Sequence, residues 1–181
     1  MFIGDISYKP PASFSSHLQE GVYALLDSLN VNFERVDTEK AVKMEDCAAI
    51  DAKLGLSIVK TLFLCNAQRT QFCLFVTRGN KSFHSKASSK GLGMSRLSFA
   101  PREEYETRLK VEIGAATIFT KMLDPADKIR LAIDGDVLMD EFFGCSDGTT
   151  TSYLKLRTEI VMRKILPAIG CVPTIVDIKE T

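Results

Sequence analysis

A chain of 181 residues, 45% of them hydrophobic, can bury a core without disulfide or metal staples, and its length fits one domain spanning 1–181. Its 23 basic and 23 acidic residues cancel, which excludes a polycation or polyanion throughout, and five cysteines with no CxxC pair signal neither a disulfide framework nor a structural zinc site. No apolar run is long enough to span a bilayer, and the start, with Asp5, Lys9 and Pro10-Pro11, lacks the apolar centre of a signal peptide, so a cytoplasmic protein without membrane contact is expected.

In chain order, Ser16-His17-Leu18-Gln19 has capping-box spacing, and Leu18, Val22, Leu25, Leu26 and Leu29 line one face of the helix that follows. Val31 to Val36 predicts a short edge strand. Met44, Cys47, Ile50 and Leu54 keep helical spacing up to a stop at Gly55. Ser57 to Asn66 is then an apolar run with Lys60 in its middle, and after a polar turn Phe72 to Thr77 is a second strand. Residues 57 to 77 thus predict an antiparallel hairpin at the centre of a sheet.

Beyond it lie a basic Gly/Ser/Asn-rich segment with a short helix near Lys86 to Lys90, and a strand from Arg96 to Phe99. Pro101 suits the first turn of a helix through Glu103, Glu104 and Leu109. Gly114-Ala115-Ala116-Thr117 is a small-residue passage that hints at close approach of a ligand or another backbone. Arg130 to Asp134 predicts a strand, and a short helix through Leu138 and Phe142 is expected to end at Gly144. A glycine- and hydroxyl-rich loop, 144 to 152, feeds a strand at Tyr153 to Leu156; Thr158 can cap a last helix, and Val172 to Val176 forms an extended tail. Hairpins with irregularly interspersed helices indicate a mixed α/β or α+β sheet, not a doubly wound parallel one.

Two features point towards chemistry. At period two Lys60 shares a face with Leu62 and Leu64, while Val59, Thr61, Phe63 and Cys65 point the other way, so both faces look covered and the ammonium needs either solvent or an anion. A fixed cation there suits a carboxylate, a phosphate or a developing oxyanion. Residues 52 to 102 contain no Asp or Glu but nine cations, which leaves a net charge of minus nine on the remainder. Such a separation suggests a positive surface for a polyanion such as nucleic acid, unless folding interleaves these cations with acids from elsewhere. No nucleophile-elbow or phosphate-loop motif is present, and His17 and His84 are the only histidines. Cys145, between Gly144 and Ser146, is the cysteine placed where a reactive thiol could sit, and the 144 to 152 loop can equally be a turn whose hydroxyls bond their own backbone.

The run Gly55 to Leu64, the segment Lys90 to Ala100, the Gly114 passage and the ending Leu166 to Gly170 resemble the YbaK/prolyl-tRNA-synthetase-associated domain family, in its free-standing PrdX and ProXp-ala branch, from about Leu25 to Val176. The resemblance implies a mixed, partly barrel-like β-sheet wrapped by helices. It also implies trans-editing: cofactor- and metal-free hydrolysis of the ester in a mischarged tRNA, with alanine on tRNA specific for proline as the expected substrate. A pocket sized for proline cannot strongly reject a smaller amino acid. Lys60 then matches the family's essential lysine near the terminal adenosine, and Gly114, beside Ala115, matches the first glycine of its G-x-x-x-P loop. Lys86, Lys90 and Arg96 are expected on the acceptor stem, with prolyl-tRNA synthetase a candidate partner. Two positions depart from the family: Ile118 replaces the loop proline, and Ser146-Asp147 stand where relatives have His-Pro. Ser146, Thr150 and Thr151 are candidates to replace lost polar contacts. The alternatives are a homologue that binds tRNA or an aminoacyl group as a regulatory module, and a thiol enzyme using Cys145.

Overall fold

The computed structural model describes residues 1–40 and 44–178. Five strands form one mixed sheet in the order β4 (Ser98–Phe99), β2 (Val59–Cys65), β3 (Phe72–Arg78), β5 (Ile129–Asp134), β8 (Thr174–Val176). The predicted hairpin is there, with Val59 opposite Arg78 and Cys65 opposite Phe72. β5 runs parallel to β3, and β8, expected as a mere tail, adds in parallel at the sheet's edge. A second, antiparallel sheet has the order β1 (Glu34–Asp37), β7 (Ser152–Arg157), β6 (Phe142–Ser146). Among the described residues the two sheets are joined by one parallel bridge, between Ile58 and Gly144, and do not close into a barrel.

The main core lies between the sheets and beneath α1 (His17–Ser28), built on Val22, Leu26, Phe63, Leu74, Ile118, Phe143, Leu154 and Ile165. The opposite face of the larger sheet is covered by α3 (Ser85–Leu92), through Leu64, Phe75, Leu92 and Met94. A third cluster packs Ile50 and Leu54 of α2 (Met44–Leu54) against Val36, Ile58 and Tyr153. The Met44 side chain, counted in the apolar face of that helix, lies outside the described residues.

Several expectations need correction. Phe142 belongs to a strand, not a helix: only a 3-10 turn, Gly135–Met139, is helical, and Phe143 and Cys145 then alternate into the core opposite Leu156 and Leu154. The Ser16 hydroxyl does accept from Gln19 N at 3.1 Å, but the reciprocal half of the capping box is absent, because Gln19 Oε1 accepts from Ser15 N at 2.8 Å. Pro101 is the cap of α4 (Arg102–Glu104), which continues as a π-helical turn, Tyr105–Leu109. Thr158 opens its helix without capping it, since its hydroxyl donates to the Asp140 carbonyl at 2.6 Å. The strand predicted at Val31 to Val36 starts three residues later and ends one later, at Glu34–Asp37, and its outer edge is covered by bridges from Ile3 and Ser7.

Candidate functional site

Lys60 sits at the open end of β2. Val59 to Leu62 are only half-buried and full burial starts at Phe63, so the strand is less enclosed around the lysine than its pattern suggested. The residue opposite Lys60 is Thr77, whose hydroxyl donates to Asp134 Oδ2 at 2.9 Å. Ile58, on the same face of the chain, packs with α2, whereas Leu62 and Leu64 pack under α3. The lysine therefore emerges at the seam between these two clusters, where an ammonium can meet an anion without crossing the main core.

The seam is made by Gly144. A methyl group there would lie 2.2 Å from Leu56 Cδ1 and 3.3 Å from Ile58 Cα, so only glycine lets the second sheet reach the first. Two residues beyond this bridge, along parallel strands, stand Lys60 and Ser146. The Ser146 side chain does not serve a ligand in this state. Its hydroxyl donates to the Thr149 carbonyl and accepts from Gly148 N at 3.0 Å, so it closes the β6–β7 turn.

Asp147, in the same turn, is fully buried. One carboxylate oxygen accepts from Gln19 Nε2 and the Tyr23 hydroxyl, each at 2.8 Å, and the other accepts from Thr149 Oγ1 at 2.8 Å. Burial, reinforced by the Asp147 charge, drives the Tyr23 phenol far above its ordinary range, which keeps it a donor. This carboxylate clamps the hairpin to α1, a role its sequence position did not suggest; Gln19 and Tyr23, on successive turns of one helix face, were the signal available.

Thr150, Thr151 and Ala115 line an open cleft of about 640 Å³ between this hairpin, the start of α1 and the 110–115 segment. Gly114, next to the lining residue Ala115, has φ +93, a conformation that favours glycine, and a methyl group on it would touch Thr150 Cγ2 at 3.5 Å. Thr150 Oγ1 donates to Glu112 Oε2 at 3.3 Å, and Lys40 pairs with the same carboxylate. The structure thus gathers Ala115, Thr150 and Thr151 around one cleft, with Gly114 adjacent in the chain, and Lys60 does not line it. Ile118 is fully buried in the main core beside Phe119.

Cys145 is not in a loop. It lies in β6, 2% exposed, and burial pushes its thiol up to about 12, which leaves no thiolate for nucleophilic attack near neutral pH. The thiol-enzyme reading is set aside on that ground.

The cation-rich run is largely interleaved with acids. Lys53 pairs with Asp5, Arg69 with Glu103, Arg78 with Asp140, Lys81 with Asp134 and Asp136, and Arg102 with Glu106. Lys86 and Lys90, one helical turn apart on α3, and Arg96 just beyond it are exposed, with no ion pair among the described residues. Ser85 and Ser89 tie the 94–97 turn to α3 by bonding Leu97 O and Leu97 N, which holds the three cations on one rigid unit. Asp134, Asp136 and Asp177 converge within 4.8 Å, but the Lys81 ammonium, 2.7 Å from Asp134 and 2.9 Å from Asp136, already supplies their cation. Among the described residues no helix is long and apolar enough to cross a membrane.

The prolyl-tRNA editing protein ProX of Acetoanaerobium sticklandii is 27% identical over 120 residues, 66% of this chain and 73% of that protein. A crystal structure described as a candidate trans-editing enzyme for prolyl tRNA synthetase superposes with a TM-score of 0.65 at 17% identity, covering 93% of this chain and all of that one. The hypothetical protein APE2540 gives 0.61 at 19% identity, covering 86% and 97% of the two chains. These two likenesses concern the fold. The family model of the aminoacyl-tRNA editing domain matches residues 38–164, and the chain belongs to that family.

Proposed function

We propose that this chain is a trans-acting aminoacyl-tRNA deacylase of the prolyl-editing type, working as one domain in the cytoplasm, with alanine on tRNA specific for proline as its substrate. The observation that carries this reading is the editing-domain match over 38–164, which includes Lys60, Gly114, Ala115, Thr150 and the cations of the α3 unit. In the reaction, water adds to the ester carbonyl, the bond to the ribose oxygen breaks, and that oxygen leaves as a hydroxyl. Lys60 holds the substrate near the terminal adenosine, and backbone N–H groups of the Gly114 segment stabilise the oxyanion. Lys86, Lys90 and Arg96 contact the acceptor stem, and prolyl-tRNA synthetase is the partner from which mischarged tRNA is received. Thr150 and Thr151 shape the aminoacyl side; the Ser146 hydroxyl, already bound within its turn, contributes through backbone shape alone.

The regulatory-binder reading has one observation in its favour: Ser146 and Asp147 spend their polar atoms on the hairpin and α1. The deciding experiment is hydrolysis of Ala-tRNA specific for proline by the wild type and Lys60→Ala, with seryl and cysteinyl esters of the same tRNA alongside. Turnover by the wild type and its loss by at least about a hundredfold in the variant, the scale of misplacing a bound substrate, is the expected result. No turnover of any ester, with tRNA still bound, would favour the regulatory module.

A further inference from the structure

We infer that a second cleft, of about 400 Å³ at the outer end of the three-stranded sheet, holds an unpaired nucleotide of the RNA that this protein edits. The inference rests on the editing reading for the identity of the RNA, but on separate residues for the site. The cleft is walled by three aromatic rings, Tyr8, Phe33 and Phe142, and carries three cations, Lys155, Arg157 and Lys164, against one carboxylate, Glu34.

Each part suits a nucleotide. Lys155 Nζ and Arg157 Cζ lie over the Phe142 ring, 4.6 and 5.4 Å from its centre, so this ring holds two cations ready for a phosphate while the Tyr8 ring is left to stack a base. Lys155 is partly committed, to Glu34 at 3.4 Å and the Leu54 carbonyl at 3.0 Å. Among the described residues the one ion pair of Arg157 is with the exposed Glu141, a pair that a phosphate can displace at little cost, and the exposed Lys164 has no ion pair. Tyr8 is 71% exposed, an aromatic face open to solvent beside these cations. Asn30 and Asn32 add carboxamides able to donate to and accept from a base edge.

The cleft is also within reach of the Lys60 seam. Phe142 lies two residues before the Gly144–Ile58 bridge and Ser146 two beyond it, a span of about 13 Å at the rise of a strand. An RNA strand laid along the seam can engage both ends.

The test measures affinity for uncharged tRNA by fluorescence anisotropy for the wild type, Tyr8→Ala and Lys164→Ala, both at exposed positions, with exposed Met139→Ala as a reference outside the cleft. Tyr8→Ala is expected to weaken binding at least about fivefold. Lys164→Ala should weaken it and lower the log–log salt slope by about one, and Met139→Ala should bind as the wild type. Affinities for both cleft variants within about twofold of the wild type would overturn the inference. So would adenosine 5′-monophosphate binding that Tyr8→Ala abolishes while tRNA affinity stays unchanged, since the ligand would then be a free nucleotide. Hydrolysis measured on the same preparations separates the two readings. Turnover with tRNA affinity indifferent to the cleft variants sinks only the cleft; absent turnover with Tyr8→Ala still impairing tRNA binding sinks only the deacylase.

Discussion

The two antiparallel hairpins, β2–β3 and β6–β7, are built on opposite plans. The first is secured locally: β3 is buried from Phe72 to Thr77, and the turn is organised by one side chain, Asn66, whose Oδ1 accepts from Thr70 N and Gln71 N and whose Nδ2 donates to Thr70 Oγ1. The second is secured from a distance. Its turn carries the buried Asp147 carboxylate, bound by Gln19 and Tyr23 from 128 and 124 residues away, and its first strand depends on Gly144 fitting against Ile58 and Leu56. A hairpin whose turn is set by its own residues keeps that turn when a distant element moves, whereas one whose turn is held by a distant helix transmits any shift of that helix to its tip. In this protein the second kind forms a wall of the cleft beside Gly114.

The strongest way to break the contrast is Asp147→Ala. It leaves the Tyr23 hydroxyl and the Gln19 amide, 2% and 5% exposed, without their acceptor, and an unmet buried donor costs about 1–3 kcal/mol. A loss of about 3 kcal/mol or more in urea unfolding is expected. Asp147→Asn, which keeps one acceptor oxygen, should lose less. If the alanine variant loses under about 1 kcal/mol, on the scale of a single ordinary hydrogen bond, the hairpin does not depend on α1 and the contrast disappears.

Gly144→Ala comes next. Its methyl group would overlap Leu56 Cδ1, which can rotate away, and press at 3.3 Å on Ile58 Cα, which cannot. Overpacking of this kind costs about 1–3 kcal/mol, and here the strain falls on the bridge between the sheets. Unfolding should therefore shift moderately, while amide exchange at β6 accelerates more than at β3. Equal acceleration in both strands would mean that the sheets respond as one unit.

The same division explains what could be read from the sequence. The β2–β3 hairpin was legible because its determinants, β-branched and aromatic runs around a polar turn, are contiguous. β6 was not, because Leu138 and Phe142, four apart, imitate a helix face and Gly144 imitates its stop, while the partners that make 142–146 a strand are Arg157 to Tyr153 on β7. In the candidate site, Gly114 and Thr150 were each visible, but their proximity brings together residues 36 positions apart, and no local spacing encodes it. Likewise the acid-free run from 52 to 102 was read correctly as a run and too broadly as a surface. Its neutralising acids, Asp5, Glu103, Asp134, Asp136, Asp140 and Glu106, all lie outside it. What survives as an unneutralised patch is the part fixed to α3, Lys86, Lys90 and Arg96.

The smallest effect expected is at the turn that looks best bonded. Asn66→Ala removes three hydrogen bonds at once, more polar contacts in number than Asp147 loses at its buried donors. Yet the turn residues from Ala67 to Gln71 are exposed, so the freed Thr70 and Gln71 N–H groups find water, and only the net worth of the turn, about 1 kcal/mol, is lost. The seven-residue β2–β3 register and the buried β3 face remain to hold the strands together. Urea unfolding should therefore rank Asp147→Ala well above Asn66→Ala. The reverse order would mean that the turn, and not the burial of β3, holds the β2–β3 hairpin, and that the two hairpins differ only in which turn residue each depends on.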